Sequence, residues 1–496
     1  MTAIPHNSNI SITTSIPESL RLKAYACIIG TGAAGSVLAY ELSRQDKDVV
    51  MMEKGNYYDL NYIQSANEES LSSLWKNKGI FLSTNYSVNI GQGQCVGGST
   101  MINYGICFEI PDPVFSYWRN AFGIKISQDE LNGAYARVGR AINRRKIEQA
   151  GLGHELFKKG CDGLGYSCDW MDKAYLPGIG KQNALFAFLN KSKADKLKIY
   201  ANCEADKIIV SGKRAIEVRG IIYDPKDKKQ RTITVESKIV IVSAGPIASS
   251  EILLRNNIAN TNDQVGKHMS LHPSSSVTAT FDEKVNADEG MAMACYCDQF
   301  SVRKTGKPGF MLESVFVPPS QLSITMPAFG DANFEYVKKY DHYAMAGVLV
   351  HDEPNGRVDL NWSNDAIVNY EMGHTDQVKM TDGLKEAARI FFRAGAKNVI
   401  TGHMRETILE SVSDMKLIDK RGAGLGQLLV ASVHPQGGNR MGENPANSVV
   451  NSSFQTHEIP NLYVCDASVF PTSIGVNPQL TVMALATIAA DDINKV

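Results

Sequence analysis

The run Ala24-Tyr25-Ala26-Cys27-Ile28-Ile29-Gly30-Thr31-Gly32-Ala33-Ala34-Gly35 decides the fold. Residues 24–29 are apolar without alternation, the pattern of a short parallel strand buried on both faces. The glycines that follow are spaced G-x-G-x-x-G. Gly30 permits a tight turn, Gly32 lets the backbone approach a pyrophosphate, and Gly35 lets the next helix pack close to its strand. Residues 33–45 read as that helix and residues 49–53 as a second strand, a strand–helix–strand unit of about 30 residues. The helix turns its positive end toward phosphate. Glu53 lies 18 positions after Gly35, where a carboxylate accepts hydrogen bonds from ribose hydroxyls and disfavours a 2′-phosphate. Together these features predict a dinucleotide site, without separating FAD from NAD.

Working outward, the segment Gly91-Gln92-Gly93-Gln94-Cys95-Val96-Gly97-Gly98-Ser99-Thr100-Met101-Ile102-Asn103 is suited to placing backbone N–H groups against an anion or a flat ring. Residues 240–246 read as a buried strand that ends in a turn and a helix, 248–256. Residues 129–149, 152–160 and 375–394 read as helices. Residues 205–223 and 231–244 read as strands joined by a charged turn, and 275–282, 309–317, 343–351 and 357–361 as further strands. A Gly-rich stretch, a strand (462–465) and a helix close the chain, while residues 1–20 read as a loose polar arm. Nucleotide-type motifs therefore stand at both ends. The predicted class is α/β: a Rossmann-like dinucleotide domain assembled from 20–112, 190–275 and 430–496, with an inserted α+β substrate domain from 113–189 and 276–429.

Composition narrows the function. The 496 residues carry 51 Lys+Arg against 52 Asp+Glu, a net charge of −1, which gives no reason to expect a nucleic-acid partner. No apolar run reaches the ~18 residues of an integral membrane span. The polar first twenty residues lack the pattern of a secretory signal. The nine cysteines are odd in number and show no C-x-x-C spacing, so no metal is expected. They read as reduced, buried thiols in a cytoplasmic protein.

The C-terminal segments Ser432-Val433-His434-Pro435-Gln436-Gly437-Gly438-Asn439-Arg440-Met441-Gly442, Asn461-Leu462-Tyr463-Val464-Cys465-Asp466-Ala467-Ser468 and Gly475-Val476-Asn477-Pro478-Gln479-Leu480-Thr481 complete the picture. With the three earlier segments, and in the same order along residues 25–496, they resemble the glucose–methanol–choline (GMC) flavoprotein oxidoreductases. The His-Pro-x-Gly-Gly and Gly-Val-Asn-Pro runs look closest to that family's cholesterol oxidase branch. The resemblance implies FAD and the oxidation of an alcohol to a carbonyl, with dioxygen or another electron acceptor as second partner. It implies cofactor contacts at Gly30, Gly32, Ala33, Ala34, Gly35, Glu53, Gly97, Gly98, Ser99, Asn103, Ala205, Ala244, Gly245, Asp466, Asn477 and Pro478. Some members attach FAD covalently through a His just before the Asn. Here that slot is Ile102, so a non-covalent FAD is expected.

The family's proton-handling positions match His434 and Asn477. Chemistry agrees: an imidazole with a pKa near ~6.5 suits proton abstraction near neutral pH, and an amide N–H₂ can hold an oxygen becoming a carbonyl. Asn477-Pro478 also reads as a helix start, with Asn at N-cap and Pro at N1. Asp466 reads either as a cofactor contact or as a strand-end cap, and His272, in a Val-Gly…His-Pro turn, as structural. Sterol-oxidising members of the family carry a Glu in an apolar strand of the substrate domain, and the run Phe310 to Pro318 resembles that setting; its Glu313 reads either as a desolvated proton relay or as a buried Glu paired with a base. The expected substrate is a bulky hydrophobic or sterol-like alcohol. The alternatives are a sugar or polyol, or a flavin-bound lyase without net redox.

Overall fold

The computed structural model describes residues 11–13, 15–59, 72–224, 227–287 and 289–495. Residues 1–10 of the expected polar arm lie outside these. Two sheets organise the rest. The first is built from β1 (Ser11–Thr13), β2 (Ser19–Ile29), β3 (Val49–Met52), β4 (Leu197–Tyr200), β5 (Cys203–Ser211), β6 (Arg214–Tyr223) and β7 (Gln230–Val242) in the spatial order β1-β4-β3-β2-β7-β6-β5. Its apolar strands are buried as the sequence predicts: Ala26, Cys27 and Ile28 of β2, Met51 of β3 and Val240, Ile241 and Val242 of β7 are all solvent-free. Helix α1 (Ala33–Arg44) crosses between β2 and β3, and the two strands pair in parallel from Ala26↔Val49 to Ile29↔Met52.

β7 is the organising strand. From Thr232 to Val242 it pairs in parallel with β2. On its other edge it pairs first with β6, antiparallel as far as Glu236, and then with a strand from the end of the chain, Leu462–Val464, in parallel. The carboxyl ends of four parallel strands therefore fall level, at Met52, Ile29, Val242 and Val464. In an open parallel sheet the crevice beyond those ends is where ligands bind.

The second sheet is antiparallel and carries β8 (Ser274–Thr280), β9 (Met293–Cys297), β10 (Phe310–Val315), β11 (Tyr343–Val350) and β12 (Asn398–Thr401), ordered β12-β8-β11-β10-β9. Helices α2 (Leu152–Leu164), α3 (Pro246–Asn256) and α4 (His374–Ala394) follow in chain order. α2 and α4 bury one face of this sheet through Phe157, Phe391, Ala388, Leu312 and Val348. Alternation along each strand turns the other set, Glu313 and Val315 on β10 with Gly347 and Leu349 on β11, to the opposite face. That face looks onto the crevice of the first sheet.

Three expectations need correction. Residues 205–223 are two strands, not one, because Gly212 at φ +59° lets the chain reverse between Ser211 and Arg214. The helix expected over 129–149 spans Gln128–Ala141 and ends where Asn143 takes a left-handed conformation, followed by a short strand, Arg144–Lys146. Within the arm expected over 1–20, Ser11–Thr13 is a strand paired in parallel with β4.

Candidate active site

Between the two sheets lies a cavity of about 510 Å³. One end is the crevice beyond β3, β2 and β7. Gly30, at φ +100°, makes the turn out of β2, where a Cβ would meet the Ser243 carbonyl oxygen at 2.4 Å. Gly35 packs beneath that turn and Gly98 packs against the Gly32 Cα. At Gly32 itself a Cβ would meet no atom within 4 Å, because this position opens into the cavity. Gly32 is the N-cap of α1 and brings no side-chain cap, so the first N–H groups of the helix are left for a ligand.

Glu53 is buried on the cavity wall. Its carboxylate accepts hydrogen bonds from Thr31 N (3.0 Å), Thr31 Oγ1 (2.6 Å) and Gly55 N (2.8 Å). Thr31 Oγ1 in turn accepts from Gly97 N at 3.1 Å. Glu53 therefore also ties the first glycine turn to the second glycine segment, a role not visible in its spacing. Burial raises its pKa against the opposing pull of these hydrogen bonds. Asp466 has a comparable duty: it accepts from Gly245 N (2.9 Å), Ser249 Oγ (2.6 Å) and Ser468 N (2.7 Å). It caps the short turn after Val464 and also fixes the Ala244-Gly245 turn. Ala33, Ala34, Ser99, Asn103, Ala205, Ala244, Gly245 and Pro478 line the cavity with them, whereas Gly35 and Gly97 stand behind it. Ile102 lines it too, and the backbone beside it is held by Lys181, whose ammonium donates to Met101 O (2.9 Å) and Asn103 O (2.5 Å).

At the other end, three residues far apart in sequence meet. Asn477 Nδ2 lies 3.4 Å from His434 Nε2, and the same side chain stands close enough to Glu313 to favour its charged form. The helix that follows, α5 (Gln479–Ile493), has Pro478 as its N-cap and no side-chain cap. The expected capping role of Asn477 is thus overturned: its amide is turned to His434 and Glu313 instead. Burial lowers the His434 pKa to about 4, so the ring is neutral at pH 7. Burial also raises the Glu313 pKa to about 7, partly offset by Asn477. Among the described residues no base pairs with Glu313, and its Oε1, His434 Nδ1 and Asn477 Oδ1 find no hydrogen-bond partner. Polar atoms buried without partners are costly unless a ligand completes them.

His272, read from sequence as structural, belongs here as well. It lines the cavity with both ring nitrogens unpartnered among the described residues and stands edge-on to His434, ring centroids 5.6 Å apart. Its φ of +53° and the hydrogen bond from its N–H to Asp352 hold it in the turn. Beside this polar group the wall is apolar: Ile106, Met293, Val315, Val317 and Leu349.

The chain compares with known proteins as follows. Residues 26–274 and 352–486 match the N-terminal and C-terminal family models of GMC oxidoreductases. The long-chain-alcohol oxidase FAO3 of Arabidopsis thaliana is 22% identical over 529 residues, an alignment covering 98% of this chain and 69% of that protein. Among solved structures, pyridoxine 4-oxidase from Mesorbium loti superposes with a TM-score of 0.73 at 17% identity, covering 95% of this chain and 99% of its own. A formate oxidase from Aspergillus oryzae, studied for its FAD, gives a TM-score of 0.76 at 16% identity over 96% of this chain and 98% of its own. At such identities the two structures speak for the fold.

Proposed function

Since the chain belongs to the GMC oxidoreductase family, and is with it an FAD-dependent alcohol oxidoreductase, we propose that it oxidises alcohols with long or bulky apolar chains, using His434 as the base. The cavity suits that cofactor. Its glycine cradle leaves no room for side chains at Gly30 and Gly98, Gly32 opens a path to a helix N-terminus, and Glu53 lies at the end of β3. Ile102 has no atom able to form a covalent link, which supports a non-covalent FAD. When bound, FAD supplies the two-electron acceptor for the hydrogen leaving the carbinol carbon.

The remaining chemistry falls to the chain. The neutral His434 ring offers a lone pair to the substrate hydroxyl and takes its proton. Asn477 holds the same oxygen from its amide as negative charge builds there. The start of α5, immediately beyond, adds the positive end of a helix dipole. Glu313, poised near neutrality, holds or releases a proton at the Asn477 end of the group. The observation that carries the reading is the convergence of His434, Asn477 and Glu313, each with a buried atom unpartnered among the described residues, on one cavity. The apolar wall from Ile106 to Leu349 supports a hydrocarbon chain over a polyol. The test is anaerobic mixing of the enzyme with dodecanol, a sterol and a polyol. Bleaching of the flavin absorbance by dodecanol or the sterol in preference to the polyol is expected. Bleaching by the polyol alone, or by none of the three, would refute the proposal.

A further inference from the structure

Seven of the eight residues of β11 are buried, and the exception is Gly347. It stands directly opposite Glu313 on β10 and Ser276 on β8. It therefore faces the same side of the sheet as Glu313, and it lines the cavity beside Glu313 and Leu349. Nothing in the backbone requires glycine here. Gly347 is not among the residues of positive φ. A Cβ would meet only Ser274 Oγ at 3.7 Å and the Glu313 carbonyl oxygen at 3.9 Å, both ordinary contacts. Gly383, by contrast, is a packing glycine on the far face, where a Cβ would strike Val348 at 2.3 Å. Glycine within a strand weakens it and marks a place where another molecule approaches the backbone closely. At Gly347 the missing side chain is neither a turn nor a close helix contact. It is a gap in the cavity wall next to the catalytic group.

We infer that Gly347 is a specificity-determining residue: the gap over it receives the apolar chain of the alcohol where that chain leaves the carbinol carbon. The inference rests on the proposed function and adds a route. With the hydroxyl held by His434 and Asn477, the chain crosses β11 at Gly347 and runs along Leu349, Val315 and Met293. A side chain at this position would leave the hydroxyl site in place and obstruct what extends beyond it.

Gly347→Val and Gly347→Ala test this against a series from butanol to dodecanol. For Gly347→Val the ratio of kcat/KM for dodecanol to that for butanol should fall about a hundredfold, the scale on which apolar pockets discriminate chain length. Gly347→Ala should move the ratio the same way by a smaller step. Weaker binding of dodecanoic acid, followed by its effect on the flavin spectrum, should accompany the change. Should Gly347→Val fail to fold, the Ala variant, whose methyl makes only ordinary contacts, decides the matter through the same ratio. A ratio unchanged in both variants, or equal losses for butanol and dodecanol, would overturn the inference. A wild-type enzyme reduced by no alcohol would instead overturn the functional reading, and dodecanoic acid binding to wild type and variants would still judge Gly347.

Discussion

Glu313→Gln separates the electrostatics of the site from its shape. The glutamine keeps the size of the side chain and an oxygen near Asn477, but it cannot ionise. Glu313 is 5% exposed, and burial lifts its pKa from 4.5 to about 7. An acid with a raised pKa in the folded state stabilises that state only while protonated. Its contribution is present in full below pH 4.5, is lost as pH rises toward about 7, and is gone above that. At about 1.4 kcal/mol per pH unit, the interval amounts to ~3 kcal/mol. The glutamine variant carries no such penalty at any pH. The two proteins should differ by less than ~1 kcal/mol at pH 5, and at pH 8 the variant should be the more stable by ~3 kcal/mol. For a chain of this length, with ~2.1 cal/mol/K per residue of unfolding entropy, that corresponds to a Tm difference of about 3 °C. Scanning calorimetry of both proteins at the two pH values measures it. Tm values that move in parallel with pH would show that Glu313 is ionised or shielded in the folded enzyme, and the relay role would fall with the raised pKa.

His434→Gln should retain FAD and the melting temperature while slowing anaerobic flavin reduction by ~10²-fold or more; a near wild-type rate would move the base elsewhere. Because burial holds the His434 pKa at about 4, the acid limb of kcat/KM in the Glu313→Gln variant, where no carboxyl titrates near pH 7, should contain no step near pH 6.5, and a limb centred there would place the imidazole in a wetter setting. Asn477→Ser removes an amide that touches His434 and Glu313 but caps no helix, so flavin reduction should fall by ~10²-fold or more at little cost in Tm; a loss of stability alone would return Asn477 to a structural role. Glu53→Gln should lower FAD affinity about tenfold or more, as expected for a charge-assisted hydrogen bond; unchanged retention on gel filtration would show that Glu53 serves only Thr31 and Gly55. Acid precipitation should leave a yellow supernatant, and a yellow pellet would mean a covalent flavin despite Ile102.

The nucleotide end of the cavity was legible because its physics is local. An apolar strand, a glycine turn, a helix and a carboxylate follow one another within residues 24–53, and each constrains the next through backbone geometry. The catalytic end was not legible in that sense. His434, Asn477 and Glu313 are brought together by two sheets, and only family resemblance singled them out beforehand. Asn477 shows the difference sharply. Asn before Pro at a helix start satisfies every local rule for a cap, yet the tertiary contact with His434 takes the side chain. His272 failed the other way: a His before Pro in a turn looks structural until β8 and the Ser432 segment place its ring against His434. Gly347 carries no local signal, since its meaning depends on Glu313 across the ladder.

The seam along β7 has a consequence for the order in which the protein can come into being. β2 is made early, yet its neighbour β7 follows some two hundred residues later, and the strand Leu462–Val464 that flanks β7 is later still. Asp466, which fastens the Gly245 turn, and Asn477, which completes the proton-handling group, arrive after that. While the chain is emerging, the strand ends that hold the dinucleotide are neither level nor closed. Pairings of such long sequence separation form slowly and leave sheet edges open meanwhile. FAD loading is thereby deferred until the segment from Leu462 to Asn477 has been made, and a chain halted before residue 460 would display an unfinished edge of β7 in place of a cofactor site.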